Sequence, residues 1–337
     1  MALPDTRIYA TVLHTDHSLQ YSLTVAVSIA ATPLNFLSFY LILTKSKRER
    51  PSFKRCLFLA QFFYFLSQFH LGVFAGLVPL HPFPAAYSIG LLSEYVSTFT
   101  LCFVWSVLFC CYVYFTLIIL IIRLRIVARP GKLFDCRDSV SYFFYMLLAL
   151  YVFLPVPGVL TLSNSSEKDM KQFVRTRFPN NMMVFDNPGV FVFTNYDHAD
   201  YIPLVLISIV VSALVFIAFM YIAITKEIRH TVASKSSKHA EDGRRSLNNL
   251  VVQSVSYAVF LSIAFGLILK QFFNDPSIDS RIQNSIAFTS LCGASIPCQI
   301  MMISRNTVYR SFVLRKTRLS SVSPSHSIPK TSMFLKA

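Results

Sequence analysis

Seven long apolar stretches, separated by polar breaks, set the pattern of this chain: roughly Tyr21–Thr44, Cys56–Val78, Ile89–Ile122, Val140–Leu162, Tyr201–Ile224, Leu250–Phe273 and Ser285–Ser304. A helix needs about 20 apolar residues to cross a hydrocarbon core about 30 Å thick, and each stretch supplies them. A charged side chain at the centre of a span costs about 2.5–3.5 kcal/mol on insertion scales. The stretches avoid that cost almost completely; apart from tyrosine, cysteine and flanking basic residues, Glu94 and His70 are the titratable exceptions. The pattern predicts an all-α membrane protein, a bundle of seven transmembrane helices.

The breaks alternate in charge. The segments after spans 1, 3, 5 and 7 hold 24 of the 31 lysines and arginines. The positive-inside rule places these segments and the C-terminus in the cytoplasm and the N-terminus outside, which an odd number of spans satisfies. The expected organisation is an outer N-terminus over 1–20 and a receptor-like bundle over 21–304. A membrane-parallel amphipathic helix over 305–317 and a disordered inner tail over 318–337 follow. Val308 and Phe312, four apart among basic residues, carry the amphipathic reading. The first stretch is full length and follows a polar segment, so it reads as a signal anchor rather than a cleaved signal.

Charge then changes less than its size implies. The net charge of +15 could point to nucleic acid, but the excess sits on one side of the membrane and reads as topology. Its partner is the lipid bilayer, since anionic lipid attracts such loops by about 1 kcal/mol per basic residue. The seven cysteines fall in spans or, for Cys136, in an inner loop, so they read as packing residues without disulfide or metal-site spacing. Asn164-Ser165-Ser166 is a glycosylation sequon placed on the outer side, close to the end of span 4. The loop Ser163–Asp200 is long enough to carry function. Its Val190-Phe191-Val192-Phe193 run after Pro188-Gly189 reads either as a short hairpin over the bundle mouth or as irregular chain. The first outer loop, with His81-Pro82-Phe83-Pro84, is expected to be very short. The serine-rich loop at 234–238 and the Ser320–Ser325 run are open to phosphorylation.

No enzyme is legible: paired carboxylates, a nucleophile elbow and a phosphate-binding glycine loop are all missing, and no cofactor is expected. A coupled transporter needs ionisable groups at mid-membrane or matched halves, and neither is present. Span 7 has no lysine for a retinal Schiff base. What remains is a receptor with a pocket among the outer halves of spans 3, 5, 6 and 7. Glu94, Ser97, Thr98, Leu101 and Trp105 recur at spacings of three and four along span 3, so Glu94, Thr98, Leu101 and Trp105 are the candidate ligand contacts. An acid near the pocket mouth favours a cationic or hydrogen-bonding ligand. The plainer readings are an interface residue for Glu94, bundle packing for Trp105 and an interhelical hydrogen bond for His70.

The layout resembles G-protein-coupled receptors, without the rhodopsin-class marks: span 3 ends in Ile122-Arg123-Leu124-Arg125, and span 7 has Ile296-Pro297-Cys298-Gln299-Ile300. A closer resemblance is to the nematode serpentine chemoreceptors of class H and class I. It rests on Leu57-Phe58-Leu59-Ala60-Gln61 opening span 2 and on Pro79–Pro84 with Gly90 after it. Phe185-Asp186 with Val190–Thr194, and Ser304-Arg305-Asn306-Thr307-Val308-Tyr309-Arg310, complete it. The resemblance implies a chemosensory receptor for a small-molecule cue in the plasma membrane of sensory cilia, coupled to a heterotrimeric G protein. By that analogy Arg123, Arg125, Arg305, Tyr309 and Arg310 face the G protein. The rival is a seven-span cation channel of the insect odorant receptor type, whose reversed orientation the lysine and arginine distribution opposes.

Overall fold

The computed structural model describes residues 5–13, 17–46, 50–127, 138–162, 164–194, 201–232, 255, 259–271, 273–275 and 277–321. The serine-rich loop at 234–238, Cys136, and the tail from 322 onward lie outside them. A short α1 (Ala10–Leu13) precedes the bundle. The helical stretches answering to the seven apolar runs are α2 (Ser18–Lys45), α3 (Pro51–Phe69) with a π-helical turn (His70–Ala75), α4 (Thr98–Val127), α5 (Asp138–Phe153) with α6 (Pro155–Leu162), α8 (Tyr201–Val232), α9 (Val259–Gln271), and α10 (Arg281–Gly293) with α11 (Ser295–Arg305). Helix α7 (Glu167–Arg177) lies between α6 and α8, and α12 (Thr307–Ser321) follows α11, past the expected end at residue 317. Four of the spans are long and apolar enough to cross a membrane outright, and α5 and α9 are shorter apolar helices.

Helices α3 and α4 form the tightest antiparallel pair, and α2 packs against α10. The interruptions follow local chemistry. Proline cannot donate a backbone N–H, and α5 gives way to α6 at Pro155. The break between α10 and α11 falls at Ala294, just ahead of Pro297.

The helices of spans 2 and 3 stop short of the capward ends of their apolar runs. The second helix ends at Ala75 because Gly76 takes the left-handed conformation (φ 53°), which a side chain resists. A Cβ on Gly76 would overlap the backbone of Gly90, and one on Gly90 would overlap that of Phe74 and Ala75. Both glycines therefore let helix end and returning strand touch. Between them lies a hairpin, β1 (Leu77–Pro79) and β2 (Ala85–Ser88), antiparallel with Val78 opposite Tyr87. Strand β3 (Phe191–Val192) adds to β2, with Ala86 opposite Phe191. The Val190–Phe193 run is thus neither a self-contained hairpin nor irregular throughout; two of its residues complete a three-stranded sheet begun by the first loop.

This sheet, residues 5–13, α7 and a 3₁₀ helix (Pro179–Asp186) form a cap over one end of the bundle, with its own apolar core. Tyr9, Phe83 and Phe178 meet edge to face at 5.3–5.9 Å between ring centres, above Val174, Val184 and Val192. The N-terminal segment is tied in by side chains acting as strand partners. Asn181 Oδ1 accepts from the Tyr9 N–H (2.9 Å), and its Nδ2 donates to the Arg7 carbonyl (2.7 Å). Strand β1 is the sheet edge, and its carbonyls are taken by the bundle. Gln20 donates to Leu77 (2.8 Å) and Asn284 to Pro79 (3.0 Å), two residues apart as strand geometry requires, and Ser280 donates to His81 in the turn that follows (3.0 Å). Helix α7 begins where Ser166 accepts from the Asp169 N–H, with Glu167 and Asp169 in its first turn and Arg175 and Arg177 in its last, each sign at the matching dipole end.

Candidate functional site

Seen from the basic end toward the cap, the bundle interior is stratified. The first layer is polar. Asn35 of α2 accepts on one oxygen from the Gln61 amide of α3 (3.0 Å) and the Gln299 amide of α11 (3.3 Å). Ser38 donates to Gln299, and the Asn35 amide donates to its own helix at Ala31 (2.9 Å). These four side chains are at most 4% exposed. One carbonyl oxygen thereby joins three helices in a medium where unpaired polar groups are costly.

The next layer is aromatic. Tyr64 and Tyr112 meet at 4.8 Å between ring centres beside Ala294 and Cys298, and the Tyr64 hydroxyl donates to the Leu291 carbonyl (3.0 Å). Ser295, at the α10–α11 break, is buried with no hydrogen-bond partner for its hydroxyl among the described residues.

Two turns capward of the first layer stand Ser28, Gln68 and Cys292, each seven residues from Asn35, Gln61 and Gln299. This layer is not satisfied in the same way. Gln68 is 3% exposed, and neither its amide nitrogen nor its amide oxygen has a hydrogen-bond partner among the described residues. The Cys292 thiol approaches the Gln68 backbone carbonyl at 3.9 Å. Gly72 keeps α2 close, since a Cβ there would collide with the Ser28 hydroxyl. Above lies an apolar cluster with Leu71, Leu101, Phe288, Leu291 and the half-buried Trp105.

The sequence candidates divide against this frame. Thr98, Leu101 and Trp105 lie along one face of α4. Thr98 is buried and its hydroxyl meets that of Ser88 on β2 (3.0 Å), joining helix to cap. The Leu101 carbonyl accepts from the His70 Nε2–H (3.0 Å), and Trp105 stacks on Phe109 at 5.9 Å between ring centres. Glu94 does not join them. It is exposed on the turn before α4, because the helix starts at Thr98 with the Ser97 hydroxyl accepting from the Thr100 N–H. Asn164 is exposed beyond α6.

At the basic end Arg123 is buried, its guanidinium 5.2 Å from the centre of the Phe53 ring, a cation–π contact between α4 and α3. Arg125 points to the opposite side of α4. Arg305 and Arg310 are exposed, but Tyr309 is only 3% exposed and hydrogen-bonded to Ser46 at the end of α2. Tyr309 therefore holds α12 against the end of α2 in this arrangement. Phe312 adds to this seat, under Lys45 Nζ at 4.3 Å and beside Tyr40. Asn306 starts α12 by accepting from the Val308 and Tyr309 N–H groups. Among the described residues no three His, Cys, Asp or Glu side chains gather as a metal site requires.

In the cap, Asp5 is held down to about 2 by the Arg7 guanidinium, whose own pKa is raised, with the Tyr9 hydroxyl adding a hydrogen bond. Burial pulls His81 down to about 4. Because the folded cap keeps His81 neutral while an opened cap lets it bind a proton near 6.5, cap stability is full above that pH and declines as pH falls toward 4. Protection factors across residues 77–88, which divide out the slowing of intrinsic amide exchange by acid, are therefore expected to fall between pH 7 and pH 5. His81→Phe should flatten that dependence; an unchanged pH response in the variant would assign it elsewhere.

No curated protein matches the chain. The family described as serpentine type 7TM GPCR chemoreceptor Srh matches residues 14–319, which include all seven spans, most of the cap and α12 to within its last residues. The match agrees with the resemblance read from Leu57–Gln61, Pro79–Pro84 and Ser304–Arg310, and it makes the molecule a multi-pass membrane receptor rather than an enzyme. The chain belongs to the Srh family of serpentine seven-transmembrane chemoreceptors.

Proposed function

We propose that this receptor binds a small, largely apolar molecule in the capward half of its bundle and signals through a heterotrimeric G protein at its basic face. The observation that carries the ligand site is Gln68: a buried amide with both ends unpaired among the described residues, as is Gln271 of α9, while Asn35, Gln61 and Gln299 of the next polar layer on the same three helices are paired. Such a group is costly in the empty receptor. A molecule offering one donor or acceptor, with an apolar body against Leu101 and Trp105, relieves that cost. The two polar layers share α2, α3 and the α10–α11 segment, so a ligand at Gln68 acts on the same three helices that Asn35 joins. It shifts the bundle by its differential affinity for two arrangements of them.

In this reading the cap faces the outside and the basic end the cytoplasm. Arg305 and Arg310 then belong to the G-protein surface, and Arg123 becomes available to it when α3 and α4 separate. Asn164, exposed on the cap side, is the glycosylation candidate. A place in the plasma membrane of sensory cilia is what the family resemblance implies.

Sidedness tests this first. Epitope tags at the two ends are stained on intact and permeabilised cells. Surface staining of the N-terminal tag alone is expected, followed by a second-messenger response to a panel of small odorants that Trp105→Ala weakens. A C-terminal tag exposed on intact cells would overturn the reading and favour a channel.

A further inference from the structure

Two buried glutamines keep both atoms of their amides unpaired among the described residues: Gln68 of α3 and Gln271 at the end of α9. They border one apolar cluster from opposite ends. On α3 and its π-helical turn, Gln68, Leu71 and Ala75 follow at spacings of three and four, and Leu71 and Ala75 belong to the cluster. On α9, Leu261, Ala264, Leu267 and Ile268 belong to it, and Gln271 continues their stripe by one turn. Both segments run toward the cap, so Gln68 stands on the basic side of the cluster and Gln271 on its capward side. Their separation can be read along α10. Gln68 is level with Cys292, whose thiol approaches its carbonyl, and Asn274, one turn past Gln271, donates to Gln283 (3.2 Å). Gln283 and Cys292 are nine residues apart on one helix. That is a rise of about 13 Å, which leaves roughly 10 Å between the two glutamines along the bundle.

We infer that the ligand of this receptor is an uncharged molecule with a hydrogen-bonding group at each end of an apolar stretch, one end meeting the Gln68 amide and the other the Gln271 amide. The inference rests on the Gln68 reading above and adds the second contact. The two amides are too far apart to pair with each other, and apolar side chains stand between them. Each unpaired amide is costly on its own, so a ligand with one polar end relieves only part of the cost. A water at either end answers one amide and finds few further partners along an apolar wall. Ala287 and Cys292 of α10 are fully buried, whereas Trp105 of α4 and Leu267 and Ile268 of α9 are only partly so. The apolar body therefore has its uncovered surface on the α4–α9 side. An amide donates and accepts but carries no charge, and a charged ligand end would be buried without a counter-ion. Glu94 before α4 and Lys270 on α9 are exposed and supply none. This sets aside the cationic ligand that Glu94 suggested in the sequence.

The full chain is reconstituted in nanodiscs, and its thermal unfolding is titrated with linear terminal diols from butane to dodecane and with the primary alcohols of the same lengths. The shift gives an apparent Kd for each. At an intermediate length the diol is expected to bind about tenfold more tightly than its alcohol, the effect of one hydrogen bond to an otherwise unpaired group. Shorter and longer diols should lose that advantage, because the amides stand at a fixed separation. Gln271→Leu should raise the stability of the empty receptor and bring the diol down to the alcohol. Lys270→Gln, on the exposed side of the same turn, should change neither. Diols no tighter than alcohols at every length, or an advantage that survives Gln271→Leu, would overturn the inference. So would a Gln271→Leu receptor less stable than wild type, which would show that the amide is paired. The Gln68 reading is judged separately in the same titration, by whether alcohol binding weakens in Gln68→Leu. Weakening there, with no effect of Gln271→Leu, would leave a ligand with a single polar contact.

Discussion

Replacing Asn35 with leucine is expected to destabilise the receptor by about 2 kcal/mol and to remove its response to agonist. The substitution deletes the single oxygen that accepts from both Gln61 and Gln299. Two amide donors are then left buried, and each buried unsatisfied group costs about 1–3 kcal/mol. Hydrogen bonds between membrane helices are measured lower, near 0.6 and at most about 1.7 kcal/mol, because a loosened bundle finds other partners. The two limits bracket the expected value. The companion variant carries leucine at Asn35, Gln61 and Gln299 together. It removes donors and acceptor alike, leaves only the Ser38 hydroxyl, which can donate back to its own helix, and is expected to recover most of the stability. Thermal unfolding of the purified receptor reads both. Recovery of stability without recovery of signalling would show that the layer holds the helices in a specific arrangement rather than simply holding them together. A single variant within about 0.5 kcal/mol of wild type would mean that the amides re-pair and that Asn35 does not organise the interior.

The sequence shows this bundle well and its cap poorly, for a physical reason. An apolar run fixes burial but not secondary structure. Leu77–Leu80 and Ala85–Ile89 are as apolar as the spans beside them, so spans 2 and 3 read as continuing into the cap. Gly76 and Gly90, which mark where helix gives way to strand, are legible only once the two are known to touch. The displacement of Glu94 from the helix follows from that single misreading. Helix α7 has a local signal, Ser166 three residues before Asp169 with arginines at the far end, but its eleven residues are mostly polar and carry none of the apolar length that marks the spans. The spacing of Thr98, Leu101 and Trp105 survives because it depends on α4 being helical and not on where α4 begins. The polar layers were visible in principle. Asn35, Gln61, Gln68 and Gln299 are uncharged, so a search for titratable groups in the membrane passes over them, yet the seven-residue offsets between Ser28 and Asn35, Gln61 and Gln68, and Cys292 and Gln299 place each pair on one helix face. What no sequence pattern gives is which of the two layers is paired. That depends on three helices arriving at one oxygen. Tyr309 makes the same point at the basic end: family likeness singles it out, and only its contact with Ser46 shows that it anchors α12.

Gln68 separates stability from function, and leucine in its place is expected to move the two in opposite directions. Leucine fills nearly the same volume without donors or acceptors, so it removes the cost of an unpaired amide. The empty receptor should gain about 1–2 kcal/mol against thermal unfolding, close to the cost of one unsatisfied buried group. If the amide is the polar contact of the ligand, the same change should reduce agonist potency by about tenfold or more, because a site that hydrogen-bonds its ligand loses that discrimination when the group is deleted. Gln61→Leu is the contrast, since it breaks a pair that already exists and should lower stability and signalling together. Surface expression is matched between variants before potency is compared. A Gln68→Leu receptor that is more stable and equally sensitive would leave Gln68 as an unused polar residue and move the ligand toward the cap, where Thr98 and Ser88 meet. One that is less stable would show that the amide is paired in the membrane, and the argument for a poised ligand contact would fall with it. Opposite shifts in stability and potency are the signature of a group kept at some cost to the fold because the function requires it.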